Sequence, residues 1–246
     1  MNLDITLHPL NELGISSGVG LVGGRILYMT EEQSEIDKFI EKIDMEKKFY
    51  SSLGLRNQAE YLISKMKLKN YVRDAGTDSV FMSKIISTKN NLDMKNFRAS
   101  DEFNNKAVVE LFVDYYIHLA AFYEKKTLLK DDVLKDIGDG SKFNGYAKNY
   151  FLYNDQNDPV ACIFINHIFN GKAWLYNCAV KKEYRGLGLF KLLLTYVENE
   201  LVKMNVEEIG LFCAEKDFVK KVYDACGFRD VALLKSCRLS KLQTNS

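Results

Sequence analysis

The stretch VKKEYRGLGLFKLLL, Val180 to Leu194, sets two glycines one residue apart, behind an arginine and ahead of a run of leucines. A glycine-rich segment joining the end of a strand to the start of a helix converges bare backbone N–H groups and the positive end of the helix dipole on one anion. The flanks suit that reading. KAWLYNCAV (172–180) before it is strand-like, and Phe190, Leu193, Leu194, Val197 and Leu201 after it fall on one helical face. Gly186 and Gly188 bring no Cβ toward a phosphate, and Arg185 adds a permanently charged donor fork. A plain strand-to-helix turn accounts for the same letters, so the stretch alone leaves both readings standing.

Working outward, NYFLYND (149–155), PVACIFINHI (159–168) and KAWLYNCAV are strand-like runs separated by turn-forming QND and FNG, which predicts an antiparallel meander. Downstream, EEIGLFCA (207–214) reads as a buried strand, KDFVKKVYDACGF (216–228) as a helix and FRDVALLKSCRL (228–239) as a strand. Upstream, Val108, Phe112, Tyr115, Leu119 and Phe122 recur at helical spacing and predict a long helix from Asn104 to Lys126. A shorter helix is expected around Asp131 to Ile137, and NFRAS (96–100) reads as a strand.

The polar run STKNNLDMKN (87–96) has no apolar period and marks a boundary, dividing the chain into residues 1–95 and 96–246. Residues 1 to about 28 read as strand-like pieces, after which the pattern turns helical and the first segment as a whole reads as helix-rich. Thr30 with Gln33 forms a capping box for a helix from Glu31 to Tyr50, and Leu55, Ala59, Leu62, Ile63 and Met66 mark a second helix. SVFMSKIIS (79–87) fits a short strand or a third helix equally well by period.

The 246 residues carry 34 basic and 33 acidic side chains, a formal charge of +1, so no global field draws the chain to nucleic acid or anionic lipid. Five cysteines, without C-x-x-C spacing, fit free thiols in a reducing compartment better than disulfides or a metal site. The opening MNLDITLHPLNELG lacks a basic leader followed by an apolar run, and no segment reaches bilayer-spanning apolar length. A cytoplasmic, unanchored protein is expected, with no metal, and with room for a homodimer.

Two other phosphate motifs test poorly. No G-x-x-x-x-G-K-[ST] string occurs. GVGLVG (18–23) matches G-x-G-x-x-G, but that fingerprint must open a helix inside a βαβ unit, and GRILYMT follows it, which reads as a strand. A glycine-rich loop is the expectation there.

Taken together, residues 174–228 resemble the cofactor-binding core of the GNAT superfamily, the GCN5-related N-acetyltransferases. Arg185, Gly186, Leu187, Gly188 and Leu189 fit the first five positions of the R/Q-x-x-G-x-G/A loop, and Tyr223, Gly227 and Phe228 fit the later Y-x-x-x-G-F motif. The resemblance implies an α/β protein with a mixed sheet, a GNAT-like acyltransferase domain over 96–246, and an additional mostly helical amino-terminal segment. It also implies acetyl-CoA as cofactor and transfer of acetyl to a primary amine on a small molecule or peptide. The pyrophosphate would lie on N–H groups of Arg185, Gly186, Leu187, Gly188, Leu189 and Phe190. Pantetheine would pair like an extra strand with Cys178, Ala179 and Val180, and the thioester carbonyl would meet N–H groups of that strand. Tyr223 would give a proton to the departing thiolate.

Three departures qualify the match. Phe190 stands where glycine or alanine is usual, Lys216 stands where an asparagine often contacts cofactor, and KAWLYNCAV carries no carboxylate to serve as base. Glu183, His167, His118, His8 and Cys178 are weaker candidates, each better explained as a solvated or packed side chain. The missing carboxylate supports a second reading, a non-catalytic acyl-CoA-binding module whose amino-terminal helices hold a protein partner. A water-relayed base serves the catalytic one.

Overall fold

The computed structural model describes residues 8–9, 16–17, 19–22, 25–28, 32–42, 49–87, 90–119, 121 and 127–242. In chain order the strands are β1 (His8–Pro9), β2 (Ser16–Ser17), β3 (Val19–Val22), β4 (Arg25–Tyr28), β5 (Phe49–Leu55), β6 (Tyr71–Ile85), β7 (Arg98–Ser100), β8 (Lys148–Tyr153), β9 (Pro159–Phe169), β10 (Lys172–Val180), β11 (Glu208–Ala214) and β12 (Arg229–Lys241). The helices are α1 (Gln33–Lys42), α2 (Arg56–Leu68), α3 (Asn105–Leu119), α4 (Lys130–Ile137), α5 (Leu189–Lys203) and α6 (Phe218–Ala225). Two compact units result, one of residues 1–82 with 212–246 and one of residues 83–211, the division falling inside β6 and β11.

In the 83–211 unit the strand order is β11-β10-β9-β8-β7. The expected meander is there: β7, β8, β9 and β10 pair antiparallel in sequence. The β9–β10 hairpin turns on Asn170 and Gly171, both at positive φ (48° and 71°), the geometry that matches strand twist in two-residue hairpins. A parallel return from β10 to β11 needs a crossover, and α5 supplies it. α3 packs on β9 and β10, enclosing Val108, Leu111, Phe112, Phe143, Phe151, Phe164 and Ala179. α5 lies against β8, β9 and β10 through Leu193, Leu194, Val197 and Leu201, whose burial follows the apolar spacing of the sequence. One charge is sunk into this layer. Glu198 is 2% exposed and is held by Lys84.

In the other unit the order is β3-β4-β5-β12-β6, with β4 parallel to β5 and β5 antiparallel to β12. Ile36 and Ile40 of α1 pack with Ala59, Leu62 and Met66 of α2 and with Tyr71 and Leu239. The hydroxyl of Tyr61 donates to the Asp37 carboxylate at 2.8 Å, and Lys65 pairs with the same carboxylate.

Residues 1–95 differ from the helix-rich segment expected. They hold α1 and α2 and, within the strand-like first 28 residues, β1 to β4, but also β5 and β6, and strand outweighs helix among the described residues. The helix predicted to Tyr50 is described to Lys42, residues 43–48 lie outside the described residues, and Phe49 and Tyr50 open β5. FYSSLGL is poor in helix formers, and pairing to β4 on one side and β12 on the other satisfies its backbone. Ser79–Ile85 of SVFMSKIIS resolve as strand, the end of the 15-residue β6. Val19–Val22 of GVGLVG form β3 in a hairpin with β4 instead of a loop, and Gly18, Gly23 and the capping Thr30 lie outside the described residues. α3 is described to Leu119, and residues 120 and 122–126 of the predicted helix lie outside the described residues.

Candidate cofactor site

The strand before the glycine loop has an unusual edge. β10 pairs with β11 at Lys172–Glu208, Ala173–Ile209 and Trp174–Gly210, and no pairing with β11 follows among the described residues. From Leu175 to Val180 its partner is β9, through Leu175–Ile165, Cys178–Ile163, Ala179–Cys162 and Val180–Ala161. The register slips between Leu175 and Cys178, so that Tyr176 and Asn177 together oppose Phe164. This is a β-bulge, which bends a strand and re-aims its backbone. Cys178, Ala179 and Val180 follow it, past the last pairing of β10 with β11.

The chain then tightens. Lys182–Tyr184 form a single 3-10 turn, closed by Tyr184 N–H to Lys181 C=O (2.9 Å) and Arg185 N–H to Lys182 C=O (3.3 Å). Asn154 Nδ2 donates to the Tyr184 hydroxyl at 3.0 Å, and Arg185 Nε donates to the Val180 carbonyl at 3.0 Å. Both ends of the turn are thereby tied to the sheet. Arg185 spends its N–H inside the turn, so the outward donors begin at Gly186.

Gly186 and Gly188 have φ of +79° and +76°, a region where a side chain is strained. A Cβ built on either would meet nothing within 4 Å. Crowding within the protein does not explain these glycines. Their positive φ and the open space before them do suit a bound group. Gly188 is the N-cap of α5, and Leu192 N–H makes the bond back to its carbonyl at 3.0 Å, so the first-turn N–H groups have no acceptor inside the helix. Leu187 is exposed, Leu189 is buried at 5% and Phe190 is half-buried.

Tyr223 belongs to the other unit. It is 8% exposed on α6, its ring set edge-on to Phe228 with centroids 5.7 Å apart. Its carbonyl accepts from the N–H groups of Cys226 and Phe228, and Gly227 between them sits at φ +90°, which gives the Y-x-x-x-G-F sequence a structural meaning as a helix stop. Asp217 caps the start of the helix by accepting from Val219 N–H at 3.1 Å. Lys216 is exposed.

The weaker candidates stay peripheral. Glu183 is exposed and paired with Lys181 at 3.6 Å, and His167 is exposed on β9 opposite Trp174. The side chains of His8 and His118 lie outside the described residues. Cys178 is half-buried, whereas burial raises the Cys162 thiol far above the ordinary range. Among the described residues no group of three or more His, Cys, Asp or Glu could hold a metal, and no helix is long and apolar enough to cross a membrane.

Sequence reading missed the bulge and Asn177. This amide is 5% exposed and hydrogen-bonded to Tyr115 and Tyr146. A lone polar residue inside an apolar strand was the available signal.

A model of the acetyltransferase (GNAT) family matches residues 106–228, half of the chain. The chain belongs to that family. No curated protein matches it. Its fold is similar to that of a GNAT-family protein from Novosphingobium aromaticivorans, with TM-score 0.54 and 12% identity over 93% of this chain and 90% of that one. A GCN5-related N-acetyltransferase from Kribbella flavida gives TM-score 0.52 and 11% identity over 89% and 81%. A tandem GNAT protein of the clavulanic acid biosynthesis pathway gives 0.55 and 11% over 94% and 81%. At such identities the likeness concerns fold alone. Coverage of 93% reaches far upstream of residue 106, so most of the amino-terminal segment also has counterparts in these folds.

Proposed function

We propose that the protein is an acetyl-CoA-dependent N-acetyltransferase that acetylates a primary amine. The observation that carries this reading is a continuous run within one unit. The end of β10 beyond its last pairing with β11, Cys178 to Val180, leads through a tied turn into two positive-φ glycines that cap α5. A strand edge suits the amides of a pantetheine arm, and a helix N-terminus behind Cβ-free residues suits a pyrophosphate. The residues present fit the cofactor, because the space a Cβ would fill at Gly186 and Gly188 is clear.

Acetyl-CoA, when bound, supplies an activated thioester. Cys178, Ala179 and Val180 bind its arm through backbone groups. Gly186, Leu187, Gly188, Leu189 and Phe190 offer N–H groups to its phosphates, and Arg185 stiffens the passage between the two. The Cys178 N–H, re-aimed by the bulge, orients the reacting carbonyl. Tyr223 holds a proton at its phenol oxygen for the leaving sulfur, a role that rests on its position in Y-x-x-x-G-F. Asn177 is an amide and takes no proton from the amine, so water carries that proton away.

Calorimetric titration with acetyl-CoA tests the first step, and no binding at millimolar cofactor overturns the proposal. The absent carboxylate on β10 favours one competing reading, a non-catalytic acyl-CoA-binding module. Release of CoA thiol across a panel of amines and peptides separates the two, since the module binds cofactor and releases none.

A further inference from the structure

We infer that the acceptor is a primary amine carried on an uncharged, ring-bearing body, received by a cluster of tyrosines beside the β10 bulge. The inference rests on the cofactor path proposed above, which brings the thioester to the bulge.

The cluster is built around Asn177. Its Nδ2 donates to the Tyr146 hydroxyl at 3.1 Å, and its Oδ1 accepts from the Tyr115 hydroxyl at 3.4 Å, so both ends of the amide are committed. Tyr146 meets Tyr176 with centroids 5.6 Å apart and Phe164 at 5.3 Å, while Tyr115 and Tyr116 lie edge-on at 5.3 Å. Exposure is graded across the group. Phe164 at its base is 0% exposed, Tyr115, Tyr116 and Tyr146 are half-buried, and Tyr176 at the rim is 59% exposed. A packed core would seal all of these rings. This one ends in an open aromatic rim at the residue pair that precedes Cys178.

The groups that act on two of these phenols are themselves uncharged. Burial, followed by neighbouring phenols, holds the Tyr116 and Tyr146 hydroxyls above the ordinary range, the latter pushed up to about 12. Tyr150 and Tyr153 of the same unit are also raised first by burial, but they feel Asp101, Glu200, Arg98 and Glu102 as well. No charged group acts in this way on Tyr116 or Tyr146 among the described residues. Among the described groups that act on these phenols, a substrate carboxylate meets no cation and a polyamine meets no carboxylate. A ring meets faces and edges that stack well, and a nitrogen meets neutral phenol oxygens.

The test is calorimetric titration of the full chain with 2-phenylethylamine, spermidine and phenylalanine, with and without free CoA. We expect 2-phenylethylamine to bind, and the polyamine and the amino acid to bind at least about tenfold more weakly. Tyr176→Ala, at the exposed rim, should weaken 2-phenylethylamine at least about tenfold, and Tyr176→Phe, which keeps the ring, should restore most of it. The inference is overturned if 2-phenylethylamine does not bind, if spermidine or phenylalanine binds as tightly, or if Tyr176→Ala leaves affinity unchanged. Failure of acetyl-CoA to bind the same sample would instead remove the transferase reading, and the amine titration would still decide the tyrosine cluster.

Discussion

Arg185 reaches back five residues and donates its Nε–H to the carbonyl of Val180 at 3.0 Å, hooking the glycine loop onto the last residue of β10. The two halves of the proposed cofactor run are thus positioned by one side chain. Arg185→Ala should weaken acetyl-CoA about tenfold, the worth of one well-placed charge-assisted hydrogen bond. Arg185→Lys should recover little, because an ammonium cannot reproduce a planar fork. Calorimetric titration of both variants checks this, and full recovery by lysine would reject the hook.

Gly188→Ala separates backbone strain from ligand contact. Since a Cβ there meets nothing within 4 Å at φ +76°, the cost to the unliganded fold is conformational, about 1–2 kcal/mol in urea unfolding. A larger loss, in acetyl-CoA affinity, should accompany it, because the methyl group enters the space assigned to the phosphates. Equal affinity in the variant would move the phosphates elsewhere.

Tyr223→Phe keeps the buried ring and its edge-on contact with Phe228. Unfolding midpoint and acetyl-CoA affinity should change little, while kcat falls by about 10²-fold or more, the usual scale for a lost general acid. Unchanged turnover would reject the acid role.

Glu198, buried in α5 and held by Lys84, with Asn90 Nδ2 at 3.4 Å, makes a sharp stability test. Lys84→Met strands a carboxylate away from water and should cost about 3–5 kcal/mol in denaturant unfolding. The pair Lys84→Met with Glu198→Leu should return most of that, since two apolar groups need no partner. A single variant as stable as the parent would show that the carboxylate reaches water or finds another cation.

Burial raises the phenols of Tyr116, Tyr146, Tyr150, Tyr153 and Tyr196, all in the 83–211 unit. For an acid raised on folding, the neutral form is favoured in the native state and the unfolded chain loses its proton first. The stabilisation is therefore whole below about pH 10, the unfolded value, and is lost as pH climbs toward about 12, the native value of Tyr146. Tyrosinate absorbance and urea midpoints measured between these limits should show late titration with falling stability. Early, complete titration without unfolding would contradict the burial.

The carboxyl-terminal three fifths were legible because their signals are local. Strand-like runs between turn residues marked β8 to β10, the FNG turn marked the hairpin, and Phe190, Leu193, Leu194 and Val197 marked α5. The two glycine motifs then identified the family. Residues 1–95 resisted because their strands depend on distant partners. FYSSLGL becomes a strand only between β4 and β12, and β12 lies nearly 180 residues away along the chain. Within β6, Arg73, Gly76, Thr77 and Asp78 break any alternation that a reader could follow. In the candidate site the glycines and Arg185 announced themselves by type and spacing. The bulge did not, since an insertion in register is a relation between two strands and leaves no mark on either alone.

β10 has a second neighbour along only part of its length. Beyond Trp174, its open edge is the kind of surface on which another polypeptide could add itself, the first step in runaway self-association. The bulge interrupts that edge at Tyr176–Asn177, and the Arg185 hook occupies the carbonyl of Val180. Between these two stops lie only Cys178 and Ala179. Two residues are too few to template an incoming strand, yet they can serve a slim molecule with a couple of amides. The interruptions that shape the cofactor berth thus also guard the protein against its own kind.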